Sequence, residues 1–163
     1  MKLLIVTQAV DADEPAGLGF FISWIEKFSR ECESVEVICL RKGVYSLPPN
    51  VHVHSLGKEE RRQGRVVYAL RFLRLAWSLR SKYDAVFVHM NPEYLVIAGW
   101  LWRVLGKRVG LWYMHKSVTT ALRTGIFFTH VIFTASRESF RLATPKLMIM
   151  GHGIDMVPHP RIP

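Results

Sequence analysis

Three histidines stand where an apolar run gives way to small or polar residues: His89 in VFVHMNPEY, His115 in LWYMH and His152 in GHGID. An imidazole so placed can hydrogen-bond a sugar hydroxyl, shuttle a proton or steady developing charge. For His89 and His115 the plainer reading is a structural hydrogen bond to a neighbouring loop, and for His152 a turn between two glycines. His52 and His54 alternate along one face of VHVHSL. Two imidazoles without a third ligand nearby read as a solvated face, and no metal is expected.

A second chemistry-bearing stretch is AGLGFF, where Gly17 and Gly19 precede an apolar, helix-spaced run. Free backbone N–H groups and the positive end of a helix dipole suit a phosphate there; a simple turn is the alternative. The dinucleotide fingerprint is not met. Its third glycine position holds Ile22, and the second apolar run ends in Leu40-Arg41 without the acidic residue that would grip a ribose. A nicotinamide cofactor is therefore disfavoured, and no cofactor is expected.

Charge is the third signal. The net charge of +9 divides into −3 over residues 1–60 and +12 over residues 61–163. Such asymmetry speaks of partners more than of fold: an anionic membrane, a phosphorylated substrate or nucleic acid. The run RRQGRVVYALRFLRLAWSLRSK (61–82) has seven basic residues and no acidic one. Its apolar residues exceed the roughly 100° face a sheet-packed helix needs. Arg65, Arg71, Arg74 and Trp77 suit a helix lying on an anionic bilayer, each arginine contributing about 1 kcal/mol. A well-buried helix with a solvated basic edge is the competing reading. WLWRVLGKR (100–108) adds two tryptophans and three basic residues to the same surface. Nucleic acid ranks last, because no recognised motif appears and the aromatics fall in strands or amphipathic helices.

These residues need elements to position them. KLLIVTQ (2–8), VEVICL (35–40), VHVHSL (51–56), DAVFVH (84–89), KRVGLWYMH (107–115), HVIFTAS (130–136) and LMIM (147–150) read as strands. Helical patterns occupy 18–32, 61–82, 92–106 and 117–125. SRESFRLA (136–143) is expected to form a further helix capped by Ser136. The alternation predicts an α/β fold: a Rossmann-like three-layer α/β/α sandwich with a mostly parallel sheet. Ligands of such sheets bind outside the carboxyl ends of the strands. That rim collects Thr7, Gln8, His89, Asn91, His115, Lys116, Ser117, Ser136, Arg137 and His152.

At 163 residues and 50% hydrophobic content, the chain has the length of one domain and enough apolar material for a core. Cys32 and Cys39 are too few for a disulfide scaffold, and Cys39 within VEVICL reads as a buried, reduced thiol, in keeping with a cytoplasmic protein. MKLLIVTQAV reads as a first strand rather than a signal peptide. The longest apolar run, YLVIAGWLW (94–102), is about half of a membrane span. Association with a membrane would be peripheral, on its inner face.

The ordered succession of a glycine loop before a helix, VHMNPE, MHKS, TASRES and GHGID resembles the N-terminal half of GT-B glycosyltransferases of the family 4 type, over nearly the whole chain. The resemblance implies one of two Rossmann-like domains facing across a cleft. Such a pair transfers a sugar from a nucleotide-sugar to a lipid-linked or saccharide acceptor, with retention and without a metal. Gly17 and Gly19 would approach the donor diphosphate and His115 the reacting sugar. His89, Asn91, Lys116, Ser136 and Arg137 would line the acceptor side. Gly151, His152 and Gly153 would form a hinge, residues 1–153 the domain and 154–163 the start of a linker. The donor-binding C-terminal domain would be absent or supplied by a companion chain, so the isolated chain is expected to be inactive. Two departures stand out: the acidic cluster Asp11, Asp13 and Glu14 beside the expected diphosphate, and Lys116 where an acidic residue is common. The rival reading is a non-catalytic membrane- or partner-binding module.

Overall fold

The computed structural model describes residues 1–13 and 20–151. Seven strands form one parallel sheet: β1 (Lys2–Val10), β2 (Ser34–Lys42), β3 (Val51–Ser55), β4 (Ala85–His89), β5 (Arg108–Trp112), β6 (Val131–Thr134) and β7 (Leu147–Ile149). Their order across the sheet is β3-β2-β1-β4-β5-β6-β7. The helices between them are α1 (Phe21–Glu31), α2 (Arg65–Ser78), α3 (Glu93–Val104) and α4 (Thr120–Gly125). The expected Rossmann-like α/β/α architecture is therefore present.

The strands form because their residues are apolar on both faces, which a parallel sheet covered by helices requires. In β1, Leu4 and Val6 point to the side of α2 and α3, with Phe72, Tyr94, Trp102 and Leu111. Leu3 and Ile5 point to the side of α1, with Phe21, Trp24, Ile25 and Trp112. A strand read as amphipathic would have put one of these sets in water.

Helix ends follow local chemistry. Gly106 has φ +67, its N–H reaches the Arg103 carbonyl at 3.1 Å, and the next N–H, of Lys107, reaches the Trp102 carbonyl at 2.8 Å. This wrap-around stops α3 where the sequence placed its end. Thr119 caps α4 by accepting from the Leu122 N–H at 3.1 Å.

Two helices differ from expectation. The pattern over 61–82 forms a helix only at 65–78. The Tyr68 hydroxyl donates to the Arg61 carbonyl at 3.1 Å and accepts from the Gln63 N–H at 3.0 Å, which folds 61–64 back as a loop. SRESFRLA forms a single 3-10 turn, Arg137–Ser139, and Ser136 caps nothing. Its hydroxyl pairs with Ser139 Oγ at 3.1 Å instead, leaving the turn's free N–H groups without the bond that would nucleate a helix.

The face of β3 is also corrected. His54 Nε2 lies 2.5 Å from Oε2 of Glu36, a carboxylate only 2% exposed, and His52 and Lys82 stand 3.8 and 3.9 Å from its other oxygen. The pair of imidazoles is not simply solvated: His54 hydrogen-bonds a carboxylate withdrawn from water within β2, with His52 and Lys82 beside it. Among the described residues no group of three or more His, Cys, Asp or Glu is arranged to hold a metal ion.

Candidate functional site

Strand order reverses at β1: the chain moves outward through β2 and β3, then returns to the other side of β1 with β4. The crevice outside the carboxyl ends of β1 and β4 is the switch point, the place where open α/β sheets receive ligands. Register decides what meets there. Val6 pairs with Val88, so Thr7 stands beside His89 and Gln8 beside Met90.

His89 is 2% exposed. Its Nδ1 lies 3.2 Å from Thr7 Oγ1, and its ring stacks on Phe21 with centroids 3.8 Å apart at 11°. Burial pushes its pKa down to about 3, so the imidazole is neutral at ordinary pH. A neutral, stacked ring behind the rim holds Thr7 and the start of α1 in place.

The residues just after it are bent outward. Met90 has φ +68, and the Asn91 N–H returns to the His89 carbonyl at 2.9 Å, an i to i+2 bond that makes a γ-turn. A side-chain-bearing residue at positive φ is strained, and such strain collects at functional rims. The turn carries Asn91 toward β1, where its Nδ2 donates to Gln8 Oε1 at 3.1 Å. This amide pair bridges the mouth of the switch point.

Further along the rim, β5 ends at Trp112 and the chain runs out through Tyr113 to His115. The Tyr113 hydroxyl donates to the Ser117 carbonyl at 2.9 Å and fixes this loop. His115, Lys116 and Ser117 are exposed. Besides an edge contact to Tyr113 with centroids 5.5 Å apart, no described group engages the His115 ring. Both its nitrogens are open to a ligand. Ser136 is half-buried and Arg137 exposed at the end of β6, the next strand over.

Gly17, Gly19, His152 and Gly153 lie outside the described residues, and Gly151 is exposed at φ +73. The acidic residues after β1 are partly accounted for. Asp11 Oδ1 accepts from the N–H groups of Val44 at 3.1 Å and Asp13 at 3.2 Å, and Arg41 stands 3.9 Å from its other oxygen. That carboxylate is turned to the loop after β2, which explains Gly43: a Cβ there would lie 2.2 Å from Asp11 Cγ.

A groove of about 670 Å³ opens beside the switch point, between the first turns of α2 and α3 and the helix α4. Leu40, Leu56, Val66, Ala69, Val96 and Ile97 form much of its wall, and Gln8, Arg65, Asn91, Glu93, Thr120 and Thr124 are its polar residues besides two tyrosines. The sequence pattern contains these residues but says nothing of the space between the helices.

The basic run divides in the structure. Arg65 borders the groove, whereas Arg71 Nη1 donates to the Leu56 carbonyl at 2.8 Å and tethers the loop after β3. Arg71 and Arg74 flank a smaller hollow with Lys42, Glu59 and Glu60. Trp77 is half-exposed with the Arg80 guanidinium 4.4 Å above its ring. Of the two further tryptophans, Trp102 is buried, its Nε1 donating to the Tyr83 hydroxyl at 3.2 Å, and Trp100 alone reaches the surface. The outer faces of α2 and α3 and the end of α4 expose Val66 (72%), Leu70 (62%), Val104 (79%) and Phe127 (76%) along with Trp100. No described helix is long and apolar enough to cross a membrane.

No family model matches the chain, and no curated protein matches its sequence. Solved structures do match. The Anabaena protein HepE in complex with UDP is 15% identical with a TM-score of 0.61, the match covering 95% of this chain and 45% of that one. MurG of Acinetobacter baumannii is 12% identical with a TM-score of 0.59, covering 91% of this chain and 45% of that one. The UDP-GlcNAc 2-epimerase of Methanocaldococcus jannaschii is 10% identical with a TM-score of 0.56, covering 85% and 40%. At these identities the likeness is one of fold, and the chain spans less than half the length of each of these proteins. The chain therefore carries the Rossmann-like fold of one half of a GT-B protein.

Proposed function

We propose that this chain is the acceptor-binding half of a retaining glycosyltransferase that uses a nucleotide-sugar donor and needs no metal, the nucleotide being held by a companion domain across the cleft. The observation that carries this reading is the rim itself. Gln8, Asn91, His115, Lys116, Ser136 and Arg137 come from the ends of four adjacent strands at the switch point of a fold shared with proteins about twice as long. In this reading His115, with both nitrogens open, serves the reacting sugar. Asn91, Lys116, Ser136 and Arg137 bind acceptor hydroxyls or phosphate, and Gly17 and Gly19 face the donor diphosphate. His89 supports the rim from behind. The exposed apolar residues of α2 and α3, flanked by Arg65 and Arg103, rest on an anionic membrane at the cytoplasmic face. A non-catalytic membrane module would use that surface equally but leaves the polar rim without a purpose.

The test is transfer from a radiolabelled UDP-sugar by the 163-residue chain alone and by the same chain joined to a donor domain after GHGID. The joined protein should turn over, and His115→Ala should lower its kcat about 100-fold. Robust turnover by the chain alone would overturn the reading.

A further inference from the structure

We propose that the groove between α2, α3 and α4 seats the apolar chain of a lipid-phosphate acceptor, leaving its head at the Gln8–Asn91 pair. This rests on the reading of the chain as an acceptor-binding half and narrows its substrate class from saccharide or lipid to lipid.

Much of the lining suits an apolar chain better than a saccharide. Sugar hydroxyls withdrawn from water need partners, yet Leu40, Leu56, Val66, Ala69, Val96, Ile97 and Ala121 offer none from their side chains, and the Tyr68 hydroxyl is already engaged by Arg61 and Gln63. The volume of about 670 Å³ is that of a small-molecule site. At the rim Gln8 and Asn91 bridge the switch point at 3.1 Å, and Arg65, Glu93, Thr120 and Thr124 add polar groups where α2, α3 and α4 border the groove. An amphiphile fits this distribution, with its chain along the helices and its head at the rim.

The opening points to where the chain comes from. Val66 and Val96 belong to the groove wall and also begin the outward stripes Val66–Leu70 and Val96–Trp100–Val104, one helical turn between members. A chain entering along these stripes stays on apolar surface. Charge agrees with a phosphate: Arg61, Arg62 and Arg65 are exposed at the start of α2, and none is in an ion pair with a described residue. Glu93, across the mouth on α3, is the one acidic residue of the lining and directs the phosphate to the α2 side.

The experiment compares butyl phosphate with dodecyl phosphate, below its micelle concentration, by calorimetric titration of the 163-residue chain. Both carry the same head, so a difference reports the chain. Dodecyl phosphate should bind at least about tenfold more tightly, given the affinity expected for each buried methylene. Ala69→Trp, which fills the groove, should reduce it to the butyl level. Val96→Asp, at an exposed position of the mouth, should do the same and decides the matter if the tryptophan variant does not fold. Equal affinity for the two phosphates, or dodecyl binding untouched by Val96→Asp, would overturn the proposal. Displacement by neutral phosphatidylcholine vesicles would overturn it too, assigning the groove to bulk lipid. If the groove fails while the joined protein still transfers sugar, the acceptor-half reading survives alone; if both fail, neither stands.

Discussion

Acidification should weaken this protein through one imidazole. His89 is 2% exposed, and burial holds its pKa at about 3, against about 6.5 in an unfolded chain. Between those values the unfolded state binds a proton that the folded state refuses, so stability falls as pH drops below about 6.5 and the loss is complete near 3. The penalty is about 1.4 kcal/mol per pH unit within that window. From pH 7.5 to pH 5 it amounts to about 2 kcal/mol. A shift of this size moves a domain of this length by about 4–8 °C. Other groups titrate over the same range, so the measurement is a double difference: urea unfolding of the wild type and of His89→Phe at both pH values. The phenylalanine keeps the stack on Phe21 and cannot take a proton. It should start less stable by about 1–3 kcal/mol, because the Thr7 hydroxyl loses its partner. The variant should lose about 2 kcal/mol less than the wild type on acidification. An identical loss in both proteins would refute the burial of a neutral His89.

Three other outcomes are expected. Gly57→Ala should lower stability by about 1–2 kcal/mol, since φ is +86, and by more than Gly106→Ala, whose new Cβ meets nothing within 4 Å, because at Gly57 the Arg71 guanidinium stands 2.9 Å away; equal denaturant midpoints would contradict this. Binding to anionic vesicles in a sedimentation assay should fall at least about tenfold in Trp100→Asp/Val104→Asp, and Arg65→Glu should weaken it more than Arg71→Glu, whose guanidinium is already held by Leu56; unchanged binding would remove the membrane surface. Cys39 is fully buried with its thiol pushed up to about 12, so a thiol-reactive dye at pH 8 should label it only on unfolding, as followed by mass spectrometry; labelling at the rate of the unfolded chain would contradict its burial.

What could be read without coordinates was whatever repeats at short range. Runs such as KLLIVT and DAVFVH are apolar at successive positions, which a strand covered on both faces demands. The stop at Gly106 is equally local, since the left-handed turn it permits closes on carbonyls three and five residues back. The start of α2 was less legible, because the segment 61–64 before it is turned aside by the Tyr68 hydroxyl, a contact made from within the helix. SRESFRLA carried a capping signature whose serine found a different partner.

The sequence by itself determined that polar residues lie at the carboxyl ends of apolar strands, and therefore that one edge of the sheet is the working edge. Tertiary structure alone decided what each of them can do. His89 and His115 occupy similar local settings, yet Phe21 lies flat on the first and only the edge of Tyr113 meets the second. Glu36 finds His54 because the β2–β3 register sets it opposite His52, with His54 next on the same face of β3, and Thr7 meets His89 across 82 residues of chain. The groove exists only as the distance between three helices. Periodicity reports which way a side chain points, because φ and ψ repeat; what waits on the other side is set by contacts far apart in the chain, for which no local pattern exists.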